Sequence, residues 1–232
     1  MSKTKKAVII GSVLVGIGVI IGFIGIAIGG FKFPNGAVDL TTMKALHAEK
    51  KTVQIADVFD KIEIAGASSM DIEICKSKTG KNYVEYYDTD DWTSRVDVKD
   101  RVLKFTTDDK GKHKAIVSLG FGKDTAARLY LADAEYKEIS VTTLSGYVTI
   151  QDVNAETVNV SASSGDLYMK NINVPDSIMA TSSSGDIDLE NATAKQIELG
   201  ANSGDIEMQD ITAESLRMST SSGDIDLESC DA

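Results

Sequence analysis

The octapeptide SSGDIDLE decides the fold of this 232-residue chain, because it occurs at 183–190 and again at 221–228. Its Ser-Gly pair also recurs outside these two copies, and the glycines are separated by 19, 20, 19 and 19 residues. They are Gly146, Gly165, Gly185, Gly204 and Gly223. A fixed period of this length is typical of solenoids, in which each repeat forms one coil.

The residues that follow each glycine alternate between apolar and polar, as in a strand with one buried face. In one repeat Ile187 and Leu189 alternate with Asp188, and a second alternating stretch contains Ile197 and Leu199. The pattern predicts an all-β fold, a β-solenoid of the right-handed β-helix type with coils of about 19 residues. We expect the extra residue of the 20-residue coil to lie in a turn near Pro175.

The Ser-Gly-Asp triplets are interpreted as corners between coils. We expect each serine to point inward, each glycine to supply an unusual backbone angle, and each aspartate to accept hydrogen bonds just outside. The predicted corner residues are Ser164, Gly165, Ser184, Gly185, Ser203, Gly204, Ser222 and Gly223. Calcium binding by the aspartate column is the alternative, with Asp166, Asp186, Asp205 and Asp224 as candidate ligands.

No charged residue occurs from Ala7 to Phe31, which is long enough to cross a bilayer as a helix. The predicted organisation is a cytoplasmic tail at 1–6, a transmembrane anchor at 7–31 and a juxtamembrane stalk or short helix at 32–51; a cleaved signal peptide is the alternative. Lysines in the tail favour a cytoplasmic N-terminus and an extracytoplasmic C-terminal part of a single-pass membrane protein. A glycine stripe suggests packing against a second copy of the helix, through Gly18, Gly22, Gly25 and Gly29.

The remaining chain divides into an irregular β part at 52–144 and a regular repeat part at 145–232. In the irregular part, the stretch SSMDIEI at 68–74 resembles a degenerate repeat with Met70 in the glycine position. The regular part stops at Ala232, before the second strand of a coil. We therefore expect a truncated solenoid, whose last coil is followed by further coils or covered by another chain.

Charge and chemistry exclude several function classes. The net charge is −11, and 16 acidic residues against three basic ones lie between Tyr147 and Ala232, so nucleic acid is not expected as a partner. Cys75 and Cys230 are far apart and indicate neither a disulfide framework nor a zinc site, and Cys230 falls in an apolar column of the repeat, where we expect a core residue. Neither histidine, His47 or His113, belongs to a repeat, so the serines have no predicted base and we expect no enzymatic activity.

With its N-terminal anchor, its degenerate strands and its Ser-Gly-Asp repeats, the chain resembles the bacterial "putative adhesin" domain family, including LiaG-like membrane proteins. The resemblance covers about Asp60 to the end, and the first coil departs from it with Gly146-Tyr147. It implies a role in the cell envelope, in LiaG-like members in the response to envelope stress. It carries over no catalytic residues.

The predicted function is a membrane-anchored, extracytoplasmic adhesin-like module that binds or acts as a scaffold at the bacterial cell envelope. The outward residues of the second strand are small and polar, which suits a cell-wall polymer, a glycan or another envelope protein as partner. Two alternatives stay open: a carbohydrate-active β-helix enzyme and a calcium-dependent adhesive module. No cofactor is expected beyond that calcium.

Overall fold

The computed structural model describes residues 37–39, 44–45, 48–89, 92–109, 116–118 and 126–232. Within these ranges no helix is long and apolar enough to cross a membrane. The predicted tail at 1–6, the predicted anchor at 7–31 and the four glycines of its stripe lie outside the described residues.

The described residues form 17 strands in two sheets. In chain order they are β1 (Ala37–Asp39), β2 (Lys44–Ala45), β3 (Ala48–Ile55), β4 (Lys61–Ser69), β5 (Ile72–Lys76), β6 (Asn82–Thr89), β7 (Trp92–Lys99), β8 (Val102–Asp109), β9 (Ile116–Ser118), β10 (Ala127–Leu131), β11 (Glu135–Ser145), β12 (Val148–Gln151), β13 (Asn154–Ser164), β14 (Leu167–Ser182), β15 (Ile187–Ala201), β16 (Ile206–Thr220) and β17 (Ile225–Asp231). Strands β1, β2 and β9 form a small antiparallel sheet, and the other 14 form the body of the molecule.

The body is a β-solenoid of about five turns, as the sequence period predicts. Each coil has three sides, which in β15 are residues 187–190, 192–194 and 197–201. Side chains alternate inward and outward along each side, but the alternation breaks where two successive residues face outward, at 190–191 and 195–196. Each break is a corner, and the chain closes around an apolar core.

Successive coils pair in parallel and in register, so equivalent residues stack in columns. One column contains Val148, Leu167, Ile187, Ile206 and Ile225, as predicted from the offset after each glycine. Cys230 stacks on Ile211 in another core column, which confirms its apolar interpretation. The register shifts between Val174 and Ser177, and this confirms that the turn after Val174 absorbs the extra residue.

The first coil consists of β4 and β5, and it confirms the degenerate repeat, because Ile72 and Ile74 pair with Val148 and Ile150. At this end, which we call the head, the pairing becomes mixed. Strand β4 pairs in parallel with β8, which forms an antiparallel hairpin with β7. Strand β5 pairs in parallel with β10, and β6 and β3 follow in antiparallel order. Strands β7 and β3 are therefore the two edge strands of the head.

Residues 48–51, predicted to belong to a stalk or short helix, instead begin β3. The reason is that β6 offers a complete antiparallel partner, from Ala48 opposite Thr89 to Ile55 opposite Asn82. Val53 and Ile55, which pack on the core, alternate with the exposed Thr52 and Gln54, and this alternation also suits a strand with one face toward the core.

An acidic residue joins three strands at the head. The Asp60 carboxylate, just before β4, accepts hydrogen bonds from Arg101 Nε at 3.0 Å and from Lys137 Nζ at 2.9 Å. Arg101 lies in the β7–β8 turn, where Asp100 and Arg101 both have positive φ, and Lys137 lies in β11. The hydrogen bond from Lys137, followed by that from Arg101, lowers the pKa of Asp60 against the opposing effect of burial.

This junction predicts a pH-dependent contribution to stability. The pKa of Asp60 in the folded chain lies below its ordinary value of 3.8. The ionised carboxylate therefore stabilises the fold fully above about pH 3.8, and this stabilisation is lost as the pH falls through the folded pKa. We expect Asp60→Asn to lower the unfolding free energy at pH 7, and the difference from the parent chain to shrink below about pH 4. Urea unfolding at several pH values measures the difference in unfolding free energy between the two chains. A difference that does not change with pH would contradict this role of Asp60.

Candidate functional site

The corner glycines are required by close stacking of the coils. Of the five corner glycines only Gly146 has a positive φ, so the predicted role of an unusual backbone angle is wrong for Gly165, Gly185, Gly204 and Gly223. A Cβ atom on Gly204 would lie against the carbonyl oxygen of Gly185 and 2.6 Å from its carbonyl carbon. Backbone passes directly over backbone here, and only glycine leaves room for it.

The serine before each glycine does not point inward. Ser164, Ser184, Ser203 and Ser222 are exposed; the strand ends before the last three, and the inward–outward alternation no longer applies to them. The inward residue is instead the third before the glycine. In three coils it carries a hydroxyl: Thr143 Oγ1 donates to the carbonyl of Ser145 at 3.2 Å, Ser182 Oγ to that of Gly165 at 3.1 Å, and Thr220 Oγ1 to that of Gly204 at 2.9 Å.

The aspartates after the glycines form a hydrogen-bonded ladder between coils. Asp166 Oδ1 accepts from the backbone amide of Asp186 at 2.9 Å, Asp186 Oδ1 from that of Asp205 at 2.8 Å, and Asp205 Oδ1 from that of Asp224 at 2.8 Å. Asp71 in the first coil accepts in the same way from the amide of Tyr147 at 2.8 Å. Each carboxylate thus satisfies a backbone donor of the next corner.

The ladder bears on the calcium alternative. In the described part of the chain, no three acidic, histidine or cysteine side chains are gathered as a metal ion would require. One oxygen of each of Asp166, Asp186 and Asp205 is already occupied by a backbone amide. The arrangement fits a structural role for this column.

A second corner ladder was not predicted from the sequence. The sixth residue after each glycine has a left-handed backbone, and these residues are Asp152, Asn171, Asn191, Asp210 and Ser229, with φ between 50° and 57°. Asn191 Nδ2 donates to Asn171 Oδ1 and Asn171 Nδ2 to Asp152 Oδ1, both at 2.8 Å. Asn and Asp tolerate this conformation better than other side chains. The recurrence of Asp or Asn at the sixth position after the glycine was the sequence signal that would have shown this second ladder.

The outer surface of the first side is acidic over the regular coils, and we call it the acidic face. It lines a shallow groove of about 500 Å³, with outward residues Tyr168, Asp188, Glu190, Glu207, Gln209, Asp226 and Glu228. Burial, and then the neighbouring charge of Glu207, raises the pKa of Asp188. Hydrogen bonds from Lys170 Nζ at 2.6 Å and Tyr168 Oη at 2.9 Å lower the pKa of Glu190.

Toward the head the same side carries aromatic and paired charged residues. Tyr83 and Tyr130 stack with their ring centroids 4.4 Å apart. Arg128 binds Glu73 with two hydrogen bonds, of 2.7 and 3.1 Å. Burial raises the pKa of the adjacent Cys75 thiol, which favours its unreactive protonated form.

The part of the third side nearest the glycine corners has a small, polar outer surface, and we call it the hydroxyl face. The hydroxyl face consists of Asn159, Ser161, Ser163, Thr181, Ser183, Gly200, Asn202, Ser219 and Ser221, most of them exposed. Asn159 is followed in its column by Met179, Glu198 and Arg217, which are not part of this face. Gly200 lies within β15, and a Cβ there would meet only Thr181 Cγ2, at 3.7 Å. The fold therefore does not require glycine at this position, in contrast to the corners.

The two histidines considered as a possible base, His47 and His113, lie outside the described residues. Among the described residues, the side chains with hydrogen bonds to the corner backbone include the aspartates and the inward Thr143, Ser182 and Thr220. These contacts stabilise the backbone and assign no nucleophile.

Two glycines in neighbouring positions predict opposite effects on stability. Gly204→Ala forces a methyl group against the Gly185 backbone, and we expect it to lower the unfolding free energy by about 1–3 kcal/mol. Gly200→Ala is the matched control, and we expect it to leave stability unchanged or raise it by up to about 1 kcal/mol. Chemical denaturation measures both. Equal effects would contradict the role assigned to close stacking.

The aspartate ladder predicts a difference between two substitutions of one residue. Asp186→Ala removes the acceptor for the Asp205 amide, and we expect a loss of about 1 kcal/mol in unfolding free energy. Asp186→Asn keeps an acceptor oxygen and should lose less, and Asp176→Ala, an exposed residue outside the ladder, is the control. Thermal melts with added calcium decide the alternative, because a bound ion would raise the melting temperature.

Comparison with known proteins places this geometry in a family. Two solved structures are similar to the chain: one of a "putative adhesin" from Bacteroides fragilis NCTC 9343 and one of a "putative cell adhesion protein" from Clostridium sporogenes ATCC 15579. The first has 17% identity and a TM-score of 0.46 and covers 78% of this chain and 97% of its own. The second has 11% identity and a TM-score of 0.47 and covers 78% and 99%.

Among curated proteins, none matches the chain. The family model described as Toastrack DUF4097 matches residues 59–232, which include the whole regular solenoid and all strands of the first coil. That range agrees with the resemblance noted from about Asp60 onward. This chain belongs to the Toastrack DUF4097 family.

Proposed function

We propose that this Toastrack protein is a single-pass membrane protein whose extracytoplasmic solenoid binds a partner at the bacterial cell envelope. The partner is a glycan, a cell-wall polymer or another envelope protein, and the solenoid acts by binding or as a scaffold without catalysing a reaction. A part in the response to envelope stress belongs to the same proposal, on the resemblance to LiaG-like proteins. The uncharged run at 7–31 and the lysines before it support the anchor and its orientation.

The observation that carries the proposal is Gly200 in the hydroxyl face. Glycine weakens the interior of a strand, and where the fold does not require it, it often marks a place where a ligand or another chain comes close. A Cβ at Gly200 would be in ordinary contact with Thr181 Cγ2, so the coil itself does not require glycine here. Because Gly200 has no side chain, the middle of the hydroxyl face is recessed between Thr181 on one coil and Ser219 on the next.

The chemistry of the hydroxyl face suits a hydroxylated, uncharged surface. Thr181 Oγ1 and Ser161 Oγ are 3.3 Å apart, so the hydroxyls follow one another from coil to coil. Serine, threonine and asparagine side chains both donate and accept hydrogen bonds, and they lose little conformational entropy on binding. The acidic face, in contrast, would repel an anionic polymer.

A binding experiment with matched variants tests the proposal. We expect full-length protein in detergent to sediment with envelope fractions of cells that produce it. Gly200→Arg should weaken this binding by about tenfold, because it places a long charged side chain in the middle of the hydroxyl face. Thr193→Arg, on the exposed surface of the second side, is the control and should bind like the parent chain.

Thermal melts show whether both variants keep the fold. Equal binding by both variants would contradict the assignment to the hydroxyl face, and no binding by the parent chain would contradict the proposed function. In the remaining case the parent chain binds through the acidic face, and Gln209→Arg on that face should then weaken binding.

A further inference from the structure

We propose that Leu144 and Tyr147 hold one end of a bound glycan, whose sugar ring stacks on Tyr147 and whose chain continues along the hydroxyl face. This inference rests on the proposed function and deepens it, because it selects a glycan over a protein as the partner. We call Leu144 and Tyr147 the corner pair.

The corner pair lies on either side of Gly146, in the first glycine corner. Leu144 is 56% exposed and Tyr147 is 60% exposed. A single exposed leucine is common on protein surfaces, but here two large side chains flank one corner. Tyrosine at the surface is also typical of binding sites, where it provides much of the contact energy.

The later coils carry small or acidic residues in the same two columns. Pairing of β11 with β13 places Leu144 in the column of the hydroxyl face that continues with Ser163, Ser183, Asn202 and Ser221. Tyr147 precedes β12 as the ladder aspartates precede their strands, so its column continues with Asp166, Asp186, Asp205 and Asp224. The first corner thus replaces two polar residues of the repeat by larger, less polar ones.

The backbone of Tyr147 is held by the first coil, while its side chain interrupts the aspartate ladder. Its amide donates to Asp71 Oδ1 and its carbonyl accepts from the amide of Ile72, both at 2.8 Å. A tyrosine cannot accept from the Asp166 amide as an aspartate would, so the ladder lacks the step between these two corners. Departures of this kind from a local rule are typical of functional sites.

The chemistry of the corner pair and of the hydroxyl face together fits a glycan. A sugar ring presents apolar C–H groups on its faces and hydroxyl groups at its edge. Tyr147 offers an apolar ring face with a hydroxyl at its tip, and Leu144 adds aliphatic surface. Beyond them the serines, the threonine and the asparagines of the hydroxyl face can donate to sugar hydroxyls and accept from them.

Repetition favours a glycan over a protein as the partner. Equivalent residues of the hydroxyl face recur from coil to coil at about 4.8 Å, the spacing of paired strands. A polymer of similar sugar units can make similar contacts with successive coils, whereas the surface of a globular protein does not repeat. The residues of the hydroxyl face include none with a charged side chain, which suits an uncharged stretch of polysaccharide.

Sedimentation with cell-wall polysaccharide tests the inference. The probe is the envelope fraction of cells that produce the protein, digested with protease, washed free of it and extracted with organic solvent. We expect full-length protein in detergent to bind this material as it binds the untreated fraction. Tyr147→Ala should weaken this binding by about tenfold, because the stacking surface is lost, and Tyr147→Phe should keep it.

Two further variants separate binding from folding. Leu144→Ser and Tyr147→Asp each introduce the residue type that later coils carry in the same column, so we expect melting temperatures no lower than that of the parent chain. Both should nevertheless weaken binding, Tyr147→Asp by about tenfold. Val58→Ser changes an apolar residue that is 71% exposed and lies outside this corner, and it should bind like the parent.

The outcomes distinguish this inference from the proposed function. If the parent chain binds the untreated fraction but not the digested one, the partner is a protein and the glycan is overturned, while the proposed function stands. Equal binding by the parent, Tyr147→Ala and Tyr147→Asp would overturn the role of the corner pair alone. A melting temperature of Tyr147→Asp well below that of the parent would assign the ring to the fold and overturn that role as well. No binding of the parent to the untreated fraction would contradict the proposed function, and this inference with it.

Discussion

Close approach of backbone on backbone at the glycine corners is the constraint on which the rest of the solenoid depends. Because Gly204 lies directly against Gly185, and Gly185 against Gly165, successive coils have a fixed separation at one corner. The Asp ladder at the same corner and the Asx ladder at the next hold that separation with hydrogen bonds between equivalent residues. Core columns of like residues then follow, since each inward side chain lies directly over its counterpart.

In-register repetition of equivalent residues is unfavourable on the acidic face. Stacking equivalent residues at about 4.8 Å places Asp188, Glu207 and Asp226 next to one another, with repulsion between like charges as the result. The pKa of Asp188 is raised first by its partial burial and then by that repulsion. Lys170 relieves it for Glu190, one column away. The hydroxyl face avoids the problem altogether, because uncharged side chains stack without penalty.

The period of the Ser-Gly-Asp repeats was sufficient to predict the solenoid, its core columns and the place of Cys230, because in-register stacking converts sequence spacing directly into contact. It was not sufficient for the corners. The direction of Ser184 depends on where β15 begins and β14 ends, and the need for Gly185 depends on a neighbouring coil, neither of which a single repeat reveals. The first half of strand β3, residues 48–51, escaped prediction for a similar reason, since its partner β6 lies 27 or more residues away in sequence and runs in the opposite direction. The column that contains Asn171 and Asn191 did carry a sequence signal for a left-handed backbone, Asp or Asn at one offset after the glycine, but that signal was not interpreted.

The order of strands at the head has a consequence for how the chain acquires its structure during synthesis. Strands β4 and β5 come first among the coils, yet their neighbours in the sheet are β8, β10, β11 and β12, all of which follow them in sequence. The first coil therefore remains incomplete until residues as late as 151 have emerged. Each regular coil after it needs only its predecessor as a template. The head is thus a slow nucleus that depends on non-local contacts. The regular coils then form by local, sequential addition.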